Sequence, residues 1–583
     1  MRVVLAGGSG PGTEALAAAL AGSPAVSACE VVTGPGGPEP PGASVPEVLV
    51  YAAACRGRWA ADALPDPEDA RRILGAAAER GVRRVVVLSS AAVHEPSHHH
   101  PGMIREERSG PAALPARHGN AVSAAWRELE VAARELVTPP AVLTVLRPAP
   151  VVIAGGRDLV CRRLERGTLR LPGGPWVATV AGFDPPLQLL APEDLAAAVR
   201  RAVEAERPGV FHVAPRAVVP LHRAVAAAGG RRVPVPRWVQ RTAARLGPGP
   251  AEDRALRADA VDFLRHPWTV SGETARRVLE LAPRCSSAEA AAGLRNAHRA
   301  PAPGGERGGT GPGDGPPGDP DEFGLDPAYV ERWSRRLFSR VHDHYWRVEL
   351  AGLEHLPREG PAVLVGIHRG FMPFDGVMTL HAVLRETGRI PRFLIHPSLV
   401  KFPVLAPFMR RLGGVYASRD NGERILRRGG LLGVYAEGIR GAFTPYRRAY
   451  RLGSFGRYEF LRMALACRAP VIPFVTVGSA EIFPILGRLD WRWFRRWSEW
   501  PYLPLTPTFP WLPVPLPSKW HTRFLEPVPV HGLYPPEAAE DPEVVRSLGR
   551  ELRRRMRRAM EEILQRRPSI FHGDVFGPGD RTP

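Results

Sequence analysis

Between Val363 and Gly376 the chain reads VLVGIHRGFMPFDG, an apolar run that ends at His368, with a carboxylate, Asp375, before the next apolar run begins. Val and Leu at this density bury a strand, and a turn broken by Gly and Pro presents the imidazole at the strand's end. A carboxylate against one ring nitrogen orients the imidazole and stabilises its charged form, which leaves the other nitrogen free to take a proton. This is the polar pair of a Ser-His-Asp site without the serine. The hydroxyl it activates would therefore come from a substrate and attack an acyl group directly. For the pair alone, a loop histidine near a helix cap is the competing reading.

Three further stretches follow in order: Gly413-Gly414-Val415-Tyr416-Ala417-Ser418-Arg419, then Gly433-Val434-Tyr435-Ala436-Glu437-Gly438-Ile439-Arg440, then Ala469-Pro470-Val471-Ile472-Pro473-Phe474-Val475-Thr476-Val477-Gly478, which reads as a buried strand. With the His/Asp stretch, and at these distances, the set resembles the glycerolipid acyltransferase family, enzymes that acylate lysophosphatidic acid, glycerol phosphate and related lipids. The resemblance covers roughly residues 325–583 and implies an α/β acyltransferase domain. It makes His368 and Asp375 the catalytic pair, although six residues separate them here where the family usually has four. It implies that Glu437, Gly438 and Arg440 hold the acceptor's polar head, with Tyr435-Ala436 in place of the usual aromatic-Pro. It also places Arg419 where the family has a phosphate-contacting arginine, and Ile472-Pro473 in the block lining the acyl site. A guanidinium matches phosphate oxygens in a two-pronged way. For Arg419 and Arg440 the competing reading is a solvated side chain in an arginine-rich protein.

The elements that would position this pair belong to a long chain. Its 583 residues exceed one ordinary core, so two or three domains are expected. At 44% apolar and 23% charged residues, the composition is that of a globular protein. The net charge of +19 comes from 78 basic residues, of which only Lys401 and Lys519 are lysine. A basic surface attracts anionic headgroups, phosphates or nucleic acid. With no zinc-spaced pairs and no nucleic-acid motif, an anionic membrane surface is the favoured partner. Cys29, Cys55, Cys161, Cys285 and Cys467 are isolated and odd in number, which argues for a reducing compartment and against a disulfide framework. Met1-Arg2 leads straight into a strand, and no apolar run approaches the roughly 20 residues of a spanning helix. The expected location is therefore cytoplasmic, peripheral on the inner face of the cell membrane.

At the N-terminus, residues 2–16 read as strand, glycine turn and helix, with Gly7, Gly10 and Gly12 as candidate cofactor-binding positions. Strands follow at the spacing of βαβ units around Val48-Leu49-Val50-Tyr51, at 82–93 with its Ser89-Ser90 pair, and at Leu143-Thr144-Val145-Leu146, with a helix start at Pro192-Glu193-Asp194-Leu195. Residues 1–298 thus resemble the extended short-chain dehydrogenases, the NAD-dependent epimerases and dehydratases; Phe263-Leu264-Arg265-His266-Pro267-Trp268-Thr269-Val270 is similar to their C-terminal portion. That family uses a Tyr and a Lys four positions on, and this chain has neither there: Tyr51 is its only tyrosine before Tyr329, and no lysine precedes Lys401. By placement the two positions are His118 and Val122. Thr13 stands near the third glycine, and no acidic residue closes the second strand at Val31-Val32-Thr33-Gly34. Active dehydrogenase chemistry, NAD(P) binding without chemistry, and a pure scaffold all remain open. His98, His99 and His100 read as a solvated loop and not as a metal site.

Residues 299–324 are dominated by Pro, Gly and charge, the composition of a linker. Beyond it, 328–345 has apolar and aromatic residues at helical spacing, suited to packing on the second domain. Six of the 13 tryptophans lie between Trp491 and Trp520, interleaved with arginine and proline. Indoles settle at headgroup level and arginines pair with phosphate, so this is the candidate membrane-facing edge, against an ordinary aromatic core. Residues 550–567 form a helix with one apolar side and many arginines, suited either to an anionic bilayer or to capping the domain.

The expectation is a Rossmann-like doubly wound parallel sheet (1–298), a linker (299–324), and an α/β acyltransferase domain (325–583). His368, oriented by Asp375, would deprotonate the hydroxyl of a lysophospholipid or other glycerolipid, which attacks the thioester of acyl-CoA or acyl carrier protein. Acyl transfer of this kind requires no cofactor and no metal, and no nucleic acid is expected. The alternatives are a membrane-tethered NAD(P)-linked oxidoreductase or epimerase, and a lipid-binding module without turnover.

Overall fold

The computed structural model describes residues 1–7, 11–32, 45–52, 64–106, 119–152, 169–171, 174–296, 320–456 and 458–577. The chain divides into two compact units, Met1–Gly324 and Leu325–Pro583. Most of the Pro/Gly-rich stretch, 299–319, lies outside the described residues.

In the first unit, β1 (Arg2–Ala6), β2 (Ala28–Val32), β3 (Val48–Ala52), β4 (Arg84–Leu88), β5 (Val142–Pro148) and β6 (Gly209–Val213) form one sheet in the order 2-1-3-4-5-6, every pairing parallel. Inside the exposed edge strand β2, strands such as β3 and β4 are near-continuous runs of Val and Leu because both faces are covered. Alternate residues serve different cores: Val48, Val50, Val86 and Leu88 join one cluster, whereas Leu49, Tyr51, Val85 and Val87 join another. Helices α1 (Pro11–Ala21), α2 (Pro67–Glu79), α3 (Ala121–Leu136) and α4 (Pro192–Ala205) supply the covers, α1 packing on α4 and α2 on α3. Local chemistry starts them. Asp66 accepts from the amides of Glu68 and Asp69 with Pro67 in the first turn, and Asn120 accepts from Val122 and Ser123. The unit is a doubly wound, Rossmann-like sheet whose order reverses between β1 and β3, the place where such sheets bind ligands.

One expectation in this unit needs correction. The histidine run is not a uniformly solvated loop: His100 is buried, and its Nδ1 accepts from the Gly102 amide. A local turn that returns the imidazole into the core cannot be read from three adjacent histidines.

The second unit opens with α5 (Pro327–Trp333), which continues as wider π turns through 334–338 and 341–345. Val330, Phe338 and Trp346 from this segment enter the unit's core. The sheet contains β7 (Glu349–Ala351), β8 (Ala362–Gly366), β9 (Arg392–Ile395), β10 (Val415–Tyr416), β11 (Leu431–Tyr435), β12 (Val471–Val477) and β13 (His521–Phe524), in the order 7-13-12-8-11-9-10. All pairings are parallel except β12 with β13. Strand β8 sits between β11 and β12 with all five residues buried. Between the strands lie α6 (Phe374–Thr387), α7 (Arg419–Arg427), α8 (Ile439–Ala442) and α9 (Arg492–Ser498), and α10 (Pro542–Arg566) follows β13. The apolar side of α10 (Val545, Leu552, Met556, Met560, Ile563) is buried and packs toward β12. Of the two readings of this basic helix, the structure therefore takes the cap. The tryptophan-rich region divides: Trp520 is fully buried and Trp500 partly so, whereas Trp491, Trp493, Trp497 and Trp511 are exposed. Among the described residues no helix is long and apolar enough to cross a membrane.

Candidate active site

The central strand β8 delivers the candidate base. Gly366 ends the strand where a Cβ would come within 2.3 Å of the Phe474 ring, and Ile367 then carries the chain to His368 at the strand's carboxyl end. The return to α6 is tight: Gly370 has φ +82, and a Cβ there would stand 2.5 Å from the Ser479 carbonyl oxygen. Asp375 lies in the first turn of α6, 1% exposed, and its Oδ2 meets His368 Nδ1 at 2.7 Å. The same oxygen accepts from the Arg369 amide at 3.1 Å, and Oδ1 accepts from the Gly376 amide at 2.8 Å. A carboxylate so bound cannot swing away, and with Nδ1–H donating to it, Nε2 is the nitrogen left for the cleft that His368 lines. The imidazole itself is 12% exposed.

That cleft contains about 870 Å³ of empty space, part of it open to solvent. Its walls are largely apolar, with Phe371, Leu380, Phe393, Met409, Leu412 and Trp500 among them, and the polar lining includes His368, His396 and Ser398. Tyr435 forms the wall beside the base: its ring lies 5.0 Å from His368 and stacks on Phe393 at 5.5 Å. Burial first, and then the Asp375 charge, pushes the Tyr435 phenol well above its usual range, so it stays neutral. An apolar trough ending at an oriented imidazole suits a long hydrocarbon chain whose reacting carbon stops at the base.

The other expected residues distribute unequally. Gly438 lines the cleft with φ 57 and ψ −150, a conformation that in practice only glycine adopts. Arg440, two residues on, is exposed and makes no ion pair among the described residues. Glu437 points elsewhere. Its carboxylate is held by the Arg369 guanidinium and the Gly453 amide. Arg369 is 1% exposed and also donates to the carbonyls of His368, Ala449 and Arg451. This buried pair fastens the His368 turn to the 437–453 segment. Arg419 is engaged by Glu423 at 2.7 Å and Glu540 at 2.6 Å, and it does not line the cleft. Ile472 and Pro473 lie within the buried strand β12 and do not line it either. Arg369 has a part in the site that the sequence motifs did not assign to it, and Tyr435 stands at the family's aromatic position as the wall beside the imidazole. The signal for Arg369 was its place directly after the histidine in a chain with a matching Glu downstream.

In the first unit, Gly7 follows β1 at the point where strand order reverses; its φ is +90, and a Cβ would stand 2.5 Å from the Ala52 carbonyl oxygen. Gly12 lies in α1, whereas Gly10 and His118 lie outside the described residues. The close approach at Gly7 fits a nucleotide turn. The Ser89 hydroxyl donates to Glu130, and the Ser90 hydroxyl caps 91–93 by accepting from the Ala92 amide. Glu130 is in turn held by Arg147 at 2.6 and 2.7 Å. Beside them His94 Nε2 and His212 Nε2 lie 2.9 Å apart, both rings buried. Burial holds both imidazoles well below their usual range, and each ring's cationic form is further disfavoured by the Arg147 charge.

Comparison with known proteins gives the following similarities. The family model for acyltransferases matches residues 347–477. The uncharacterized protein Rv0502 of Mycobacterium tuberculosis (strain H37Rv) is 36% identical over 259 residues, 43% of this chain and 72% of that protein. The human DGAT1/2-independent enzyme synthesizing storage lipids is 28% identical over 172 residues, 29% of this chain and 52% of its own length. Among solved structures, the human epimerase family protein SDR39U1 with NADPH superposes with a TM-score of 0.37 at 19% identity, over 51% of this chain and 98% of that one. MoeE5 in complex with UDP-glucose and NAD gives 0.38 at 17% identity, over 51% and 99%. On the match at residues 347–477 and the extent of the mycobacterial relationship, the chain belongs to the acyltransferase family.

Proposed function

We propose that this protein is a lipid acyltransferase, moving a fatty acyl group from acyl-CoA or acyl carrier protein to a hydroxyl of a lysophospholipid or other glycerolipid at a membrane surface. The observation that carries the reading is the His368–Asp375 pair at the edge of an apolar cleft. His368 Nε2 takes the proton of the acceptor hydroxyl as that oxygen attacks the thioester carbonyl, and the imidazolium so formed is stabilised by the Asp375 carboxylate. Collapse of the tetrahedral intermediate releases the thiolate, which the imidazolium protonates. The thioester supplies the driving force, so no cofactor enters. Arg440 and the Gly438 turn are the residues offered for the acceptor's polar head. Glu437 supports the site through Arg369, whereas Arg419 is engaged by Glu423 and Glu540. The relationship to a protein named for synthesizing storage lipids supports a lipid acceptor.

The test is consumption of acyl thioester, read as free thiol, against a panel of lysophospholipids and neutral glycerolipids with the full chain. Turnover with at least one acceptor, lost in His368→Ala, supports the reading and names the acceptor. Folded protein that turns over none of the panel overturns it.

A further inference from the structure

Among the exposed apolar side chains of the second unit, several fall on one short stretch. A two-stranded ribbon pairs Gly487–Leu489 with Leu503–Leu505, and α9 lies in the connection between its strands. Trp491, Trp493 and Trp497 are 53%, 61% and 50% exposed, and the Trp493 and Trp497 rings lie parallel, 6.1 Å apart, on one side of the helix. The loop leaving the ribbon carries Trp511, 88% exposed, followed by exposed Leu512. An indole on a soluble surface is ordinarily tucked in. Here four are left in water on neighbouring segments.

The charge left without an ion pair between them is positive. Arg488, Arg492 and Arg496 are exposed and form no ion pair among the described residues, while Arg495 is held by Asp490 at 3.0 Å. Glu499, the other acid of the stretch, is paired with Lys401. Indoles interleaved with unpaired guanidiniums match the interface of an anionic bilayer, where rings settle at the headgroup level and arginines reach phosphate.

The patch is also continuous with the cleft. Trp497 packs on Phe402 at 5.5 Å, Phe402 packs on Trp500 at 5.4 Å, and Trp500 lines the cleft and packs on Phe371 at 5.8 Å. A file of aromatic rings thus leads from the exposed helix to the residue three positions beyond the candidate base.

We propose that α9 and its ribbon are the surface by which this chain docks on an anionic phospholipid bilayer, setting the mouth of the cleft against the lipid. The assignment rests on the lipid-acyltransferase reading of the cleft. Docking would let acyl chains pass from bilayer to cleft along the aromatic file without crossing water, and it accounts for tryptophans left uncovered beside a wall whose other rings are packed.

The test uses the full chain and vesicles of phosphatidylcholine with or without phosphatidylglycerol, read by co-sedimentation. Trp491 and Trp493 are the residues to change, because they pack on each other, and Trp493 on Trp497, and neither lines the cleft. The expected result is sedimentation with the phosphatidylglycerol vesicles, weakened by salt and reduced roughly tenfold or more by Trp491→Ser/Trp493→Ser and by Arg492→Glu/Arg496→Glu. Both variants should keep wild-type turnover of a short-chain thioester and a water-soluble lysolipid without vesicles. Three results would overturn the proposal: no sedimentation of wild type, equal sedimentation of wild type and both variants, or a wild-type oligomer that the tryptophan variant dissociates. Intact sedimentation with no turnover of soluble substrates would instead overturn the acyl-transfer reading and leave the docking surface standing.

Discussion

His368 in the second unit and His94 in the first both follow the carboxyl end of a buried parallel strand, and their surroundings make them opposites. At His368 a carboxylate buried beneath the ring takes Nδ1, and the residue lines an open cleft. At His94 no hydrogen-bonded carboxylate meets the ring among the described residues: Nε2 faces the neutral His212, Arg147 lies close enough to disfavour the cation, and Glu130 is held by Arg147 itself. Each unit also contains a buried Arg–Glu pair, Arg369–Glu437 and Arg147–Glu130. In the second unit that pair sits behind the histidine and leaves a separate carboxylate for it. In the first the pair takes up Glu130, which accepts from the Ser89 hydroxyl as well. A strand-end histidine with both a dedicated carboxylate and a cavity is equipped to act as a base. Burial with a cation nearby yields a neutral core residue.

The widest separation between the two histidines should come from truncation. His368→Ala is expected to lower acyl transfer by about 10³- to 10⁴-fold, whereas His94→Ala should leave it unchanged; equal losses in thiol-release assays would break the comparison. Next come the buried pairs. Glu437→Ala strands the Arg369 guanidinium and should destabilise the second unit by about 3–5 kcal/mol, measured by denaturant unfolding. Glu130→Ala should cost the first unit a similar amount without touching turnover in protein that remains folded. Smaller is Asp375→Asn, which preserves a side chain of the same shape but removes the charge that orients and stabilises the imidazolium. It should reduce kcat by about 10²-fold with little change in KM.

The last effect is in acid. Burial holds His100 down at about 3, and it is neutral in the fold. The unfolded chain takes up that proton below about 6.5, so the stabilisation is complete above that pH and is lost as pH falls toward about 3, at up to about 1.4 kcal/mol per pH unit. His100→Asn, which can keep the acceptor for the Gly102 amide, should flatten the acid limb of thermal melting curves by that amount.

Much of this was legible in the residues. Continuous Val and Leu runs marked β1, β3, β4, β5, β8 and β12, since a strand buried on both faces has few other compositions. His368 and Asp375 were legible because seven positions spanning a strand end, a glycine turn and a helix start leave the chain few ways to avoid bringing them together. Glu437 and Arg419 were legible as residues but not as partners. What each carboxylate and guanidinium meets depends on segments distant in sequence: Arg369 lies 68 positions before Glu437, and Glu540 comes from the segment before α10. The tryptophans divided for the same reason. Nothing in their spacing distinguishes Trp520, buried against Trp346 at 4.5 Å, from Trp493 in water.

The sequence by itself determined the two sheets, the missing tyrosine and lysine of the first unit, and the strand-end histidine with its carboxylate, all properties of local pattern and composition. Only the tertiary structure decided which charges cancel, which histidine has a cavity before it, which face of α10 is covered and which indoles are left for a partner. Those outcomes depend on long-range packing, where a side chain's chemistry is set by neighbours that the linear order does not name.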